Sequence, residues 1–182
     1  MNGHLLWRVV VAWCVAFWPA LLFGQATSWE QDDKAGWDAL KAGRLDEAGK
    51  RFLAAVGQAQ RFQDIRLAIS QSGLARVCQA QGKHAAAEYL YESSLEISEK
   101  AIGKDDPGVA ADLDRLGEVY QALRRYTKAE SAYKRSLDIR EKQKASRGDP
   151  TLAIGPDLRA YAAIRFCRST ITRSESELPS RR

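Results

Sequence analysis

"YESSLEISEK", Tyr91 to Lys100, returns as "YKRSLDIREK", Tyr133 to Lys142, with Tyr, Ser, Leu, Ile, Glu and Lys in the same places 42 residues on. A 42-residue period is six heptads, so a long coiled coil would produce the same echo. Pro107 in "GKDDPGVA" and Pro150 in "SRGDPTLA" argue against one continuous helix, because an interior proline costs about 3 kcal/mol. Asp followed by Pro suits a helix start, where the carboxylate accepts from free backbone donors and proline fits the first turn. The pattern therefore predicts separate helices.

Two kinds of apolar face alternate along the chain. Ala87, Tyr91 and Ser94 fall at i, i+4, i+7, as do Ala129, Tyr133 and Ser136, and earlier Ala48, Phe52 and Ala55. That spacing is one face of an α-helix, and small, aromatic, small lets two helices approach while the ring fills the gap. The partner helices present Leu74, Ala75 and Cys78, or Leu116, Gly117 and Tyr120. Gly43 and Gly82 mark short turns between partners, since glycine readily takes the left-handed conformation that ends a helix. Arg124 stands at the matching position of the next turn, where glycine is favoured. In the first unit Ala35, Gly36 and Ala39 replace larger residues, which predicts thinner packing there.

Leu116-Gly117, Tyr120, Ala129 and Tyr133 resemble the tetratricopeptide repeat signature of Leu-Gly, Tyr, Ala and a large aromatic at their usual spacings. The 42-residue unit with its connector from Glu99-Lys100 to Asp106-Pro107 is similar to the longer variety found in kinesin light chains and many bacterial tetratricopeptide proteins. The resemblance covers residues 29–168. It implies an all-α solenoid of about three helix pairs and a C-terminal closing helix supplied by "LAIGPDLRAYAAIRFCRS". It also implies a protein–protein interaction module: first helices of successive pairs line a concave groove for a peptide or a partner's helix. Here the groove residues would be Trp37, Arg76, Gln79, Asp114, Glu118 and Gln121. Asp114 and Glu118 lie four residues apart, so both carboxylates are expected on one side of their helix, away from the core. The polar, aperiodic stretch 169–182 is expected to be a disordered tail.

Residues 1–26 read as a signal peptide. Arg8 precedes the uncharged run Val9 to Phe23, and Gly24 and Ala26 are the small residues of a cleavage site before Thr27. At 15 residues the run is shorter than the roughly 20 needed to span a bilayer. The expected location is secreted or periplasmic, and the alternative is a chain anchored in the membrane by an uncleaved segment. Cys78 and Cys167 would then share an oxidising compartment, where two thiols either pair or stay buried and free.

Reactive chemistry is sparse in this sequence. His84 follows a turn glycine with no cysteine beside it, and the Asp105–Asp106 pair is explained by capping before Pro107. Phosphate loops, Cys-x-x-Cys pairs and metalloprotease helices are not found, so no catalytic residue, metal or cofactor is expected. A formal charge of +5 is too mild to imply nucleic acid. From Arg124 to Arg147 there are nine Lys or Arg against three acidic residues. The alternative function is accordingly an envelope-tethered adaptor whose basic outer face associates peripherally with an anionic membrane surface.

Overall fold

The computed structural model describes residues 26–62, 64–147 and 158–176. They form seven helices: α1 (Ala26–Lys41), α2 (Leu45–Ala59), α3 (Ile65–Ala80), α4 (His84–Ile102), α5 (Pro107–Ala122), α6 (Tyr126–Arg147) and α7 (Leu158–Ser176). Three antiparallel pairs, α1/α2, α3/α4 and α5/α6, stack in chain order, each second helix packing on the next first helix, and α7 closes the stack against α6. This is an all-α solenoid.

Local chemistry sets the boundaries. Asp64 and Asp106 cap α3 and α5, their side chains accepting from the backbone N–H groups of Arg66 (2.9 Å) and Gly108 (2.7 Å). All three turns within pairs are built alike. The N–H of Arg44, Lys83 or Arg125 donates five residues back, to the carbonyl of Ala39, Cys78 or Tyr120, at 2.8–2.9 Å. The residue before it takes a left-handed conformation: Gly43 at φ 73°, Gly82 at φ 74°, Arg124 at φ 58°. The third turn thus keeps its geometry without glycine, at the steric cost of a Cβ facing a carbonyl.

Ala48, Phe52, Ala55, Ala87, Tyr91, Ser94, Ala129 and Ser136 are fully buried and Tyr133 nearly so. The rings explain the glycines opposite them. A Cβ at Gly117 would sit 2.7 Å from Tyr133 Cζ, and one at Gly36 2.8 Å from Phe52 Cε1, with Gly73 pressing the same Phe52 ring from α3. The first unit is the thinner one, as its small residues predict: among the described side chains of α1 only Gly36 and Ala39 are buried, and Phe52 fills the space beside them, with Trp37 edge-on at 5.1 Å.

Two apolar clusters result. One gathers Ala39, Ala48, Phe52 and Val77, the other runs from Ala75 and Tyr91 to Ile164 and Cys167. They meet across α3, whose neighbouring residues Ala75 and Val77 face opposite ways. The cysteines among the described residues are free, Cys78 half-buried and Cys167 buried.

Helix α7 runs past the boundary expected at residue 168, to Ser176. The hydroxyls of Ser169, Thr170 and Thr172 donate to carbonyls three or four residues back, so polar side chains are accommodated within the helix. The signal segment, the helix start expected at Pro150 and residues 177–182 lie outside the described residues. Among the described residues no helix is long and apolar enough to cross a membrane.

Candidate functional site

A groove of about 460 Å³ opens between the first helices, lined by Leu40 of α1, Leu45 of α2, Arg76 and Gln79 of α3, and Arg115 and Glu118 of α5. Three of the six residues expected from the sequence, Arg76, Gln79 and Glu118, come together here. Gln79 Nε2 donates to Glu118 Oε2 at 3.1 Å, joining successive first helices across the floor. Arg76 holds its guanidinium 5.2 Å from the Trp37 ring centroid, so Trp37 belongs both to the groove wall and to the core edge.

A second compartment of about 300 Å³ adjoins it toward the N-terminal ends of α3 and α5. Trp37, Ile65, Ile69, Ile102 and Ala111 make it apolar, and Arg115 lines both compartments. Ile69 and Ile102 are 38% and 41% exposed and lie together on its wall.

Asp114 and Gln121 are placed differently. Asp114 accepts from Ser136 and Arg140 of α6, so its carboxylate turns toward the second helix and away from Glu118. Four-residue spacing fixes a shared helix face, but an arginine on the neighbouring helix decides where the carboxylate points. Gln121 accepts from Tyr133 Oη (3.1 Å) and donates to Cys167 Sγ (3.3 Å), which ties it to the closing helix. Its counterpart Gln79 accepts from Tyr91 Oη at 3.2 Å in the same way. Burial pushes the Tyr91 and Tyr133 phenols and the Cys78 and Cys167 thiols up, so all four stay protonated near neutral pH.

Sequence reasoning missed Arg115 and Asp112. Asp112 is only 8% exposed. Its Oδ1 accepts from Ser72 Oγ (2.9 Å) and Arg115 Nη1 (3.2 Å), and its Oδ2 lies 3.3 Å from Ser94 Oγ. Ser72 belongs to α3 and Ser94 to α4, so Asp112 stitches the second pair to the third. The signal was present: an Asp on the apolar face of a helix that also carries Val109, Leu113 and Leu116.

Among the described residues the basic run that begins at Arg124 and continues along α6 is largely neutralised within the fold. Arg125 and Lys128 pair with Glu88, Lys134 with Glu130, Arg135 with Glu99, Arg140 with Asp114 and Lys142 with Asp105. Among the described residues no cluster of His, Cys, Asp and Glu is placed to hold a metal ion.

Comparison with known proteins agrees with this architecture. A family model described as a tetratricopeptide repeat matches residues 38–100 and 66–142, together more than half of the chain. No curated protein matches it. Among solved structures, BtubC (BKLC) from P. vanneervenii is similar at 19% identity and a TM-score of 0.63, over 85% of this chain and 67% of its own. A Podosopora anserina protein described as a putative kinesin light chain with nearly identical tetratricopeptide-like repeats is similar at 20% identity and a TM-score of 0.59, over 83% of this chain and 77% of its own. A single-substitution variant of that Podosopora anserina protein gives a TM-score of 0.60, also at 20% identity, over 83% and 76%. With three like turns, recurring ring-on-small-residue contacts and a matching family model, the chain belongs to the tetratricopeptide repeat family, in its long-unit variety.

Proposed function

We propose that the protein is an exported scaffold that binds a peptide segment of a partner protein in the groove between its first helices. Tetratricopeptide repeats generally mediate protein–protein contact. The observation that carries the reading here is the two-part groove, an apolar compartment with exposed Ile69 and Ile102 running into a polar one with Arg76, Gln79, Arg115 and Glu118. Such a surface suits an extended segment that buries an aliphatic side chain and places a carboxylate near Arg76 and Arg115.

Export rests on the segment before α1. A cut between Ala26 and Thr27 removes only the first residue of α1 and leaves the rest of the solenoid whole. Amino-terminal sequencing of the exported protein checks it; a membrane-bound chain that retains Met1 overturns it.

The groove is tested by capture from the envelope fraction with the mature chain as bait. The variant Arg76→Glu/Glu118→Arg should weaken recovery of the partner by roughly tenfold, the worth of about one charge-assisted contact. Lys134→Glu/Arg135→Glu on α6 is the control, since exposed pairs of this kind contribute only about 0–1 kcal/mol. Equal loss from both variants would replace the groove with a general electrostatic attraction. Salt-sensitive binding to anionic vesicles with no protein captured would favour the basic outer face, although its ion pairs weigh against that outcome.

A further inference from the structure

Ala162, Phe166 and Ser169 of α7 fall at i, i+4, i+7, which puts a small residue, an aromatic ring and a second small residue on one helix face. The same spacing builds the core around Phe52 of α2, Tyr91 of α4 and Tyr133 of α6. Those three rings are buried, whereas Ala162 and Ser169 are exposed and Phe166 is 56% exposed. The other side of α7, with Ile164 and Cys167, is the side that packs on the stack. One copy of the packing code therefore faces solvent.

This face is prepared to be covered. Ser169 Oγ donates to the Phe166 carbonyl at 2.8 Å, so its hydroxyl enters an interface with its proton already satisfied. Tyr126 of α6 stands edge-on to Phe166 with ring centroids 6.2 Å apart, and a ring braced in this way loses little freedom on docking. Inside the fold such rings meet glycine: Gly117 faces Tyr133, and Gly36 and Gly73 face Phe52.

Charge selects the partner. From Leu158 to Arg173 every charged residue is an arginine: Arg159, Arg165, Arg168 and Arg173. Arg168 already reaches Glu130 of α6, so carboxylates suit this helix. Two copies of α7 laid together would set arginine against arginine, which disfavours self-pairing. We infer that the outer face of α7 docks an acidic α-helix of a partner protein, with a glycine of that helix seated on Phe166 and its carboxylates beside the arginines. The groove draws its lining from α1 to α5, so the two surfaces are separate.

The probe is a labelled, hydrocarbon-stapled peptide with the sequence of α5, Pro107–Ala122, in which Asp114 and Glu118 flank Gly117. Fluorescence anisotropy follows its binding to the full mature chain. Binding should be saturable, weaken as salt is raised, and fall roughly tenfold or more in Phe166→Ala. Ser169→Leu in the chain and Gly117→Leu in the peptide add apolar surface but block close approach, so each should also lose binding; non-specific adhesion would strengthen instead. Thermal melting confirms that both chain variants are folded, which their exposed positions favour. The groove variant Arg76→Glu/Glu118→Arg should bind the probe as the unsubstituted chain does. Absence of saturable binding, or equal affinity in Phe166→Ala, overturns the inference. Loss from the groove variant would place the probe in the groove and overturn it too. Sedimentation closes the last alternative: self-association abolished by Phe166→Ala would make a second copy the occupant, against the inference.

Discussion

Tyr133 shows how one residue type at one spacing carries most of the packing information. Its ring covers Gly117 and its hydroxyl donates to Gln121. Tyr133→Ala should destabilise by about 3 to 5 kcal/mol, and Gly117→Ala by about 1 to 3 kcal/mol because the new methyl meets the ring. Thermal melting followed by helical circular dichroism measures both, and an unchanged midpoint in either would undo the helix phasing. Arg124→Gly should do the opposite, gaining about 1 kcal/mol by relieving a left-handed arginine. At this scale the core was legible because burial follows a short periodic code. The destination of Asp114 was not, since it depends on Arg140, 26 residues away on another helix.

Helix starts and stops divide into those written locally and those imposed by packing. Asp64 and Asp106 announce α3 and α5, so Asp106→Ala should cost about 1 kcal/mol in denaturant unfolding, a cap's usual worth. The turns at Gly43 and Gly82 were legible for the same reason. The end of α7 was not: its last residues, Thr170 to Ser176, carry little apolar periodicity, and a polar helix and a polar tail look alike in composition. Helix α7 nonetheless matters to the whole. Ending the chain at Arg147 uncovers the surface that Ile164 and Cys167 bury, and the truncated array should melt about 5 °C lower or more and self-associate as concentration rises. A truncated chain that melts unchanged and stays monomeric would show that α7 is dispensable to the core.

Across the whole molecule, α3 is held on both sides through serines. Ser70 donates to Asp33 of α1 (3.3 Å) and Ser72 to Asp112 of α5. Desolvation raises both carboxyls above the ordinary value, outweighing their hydrogen bonds. A carboxyl raised in the folded state contributes stability that is full below the unfolded value of about 3.9 and is lost as pH rises through the folded value. Asp64, Glu96 and Glu130 shift the other way, drawn down by Arg66, by Lys100 and by Lys134 with Arg168, and they contribute alike to the unsubstituted chain and to a variant that keeps them. The melting temperature of Asp33→Asn/Asp112→Asn should therefore fall less than that of the unsubstituted chain as pH is raised from about 4 to about 7. A parallel pair of curves would remove these two groups from the account.

The free thiols among the described residues sit at different depths of the stack, Cys78 half-buried in the middle pair and Cys167 fully covered by the last helix contact. A small alkylating reagent therefore reads the array as a clock with two hands. If the end frays before the centre opens, Cys167 reacts at a rate set by detachment of α7 and insensitive to Asp106→Ala, whereas Cys78 keeps its own slower or faster time. A single shared rate for both sulfurs would mean that the solenoid comes apart all at once.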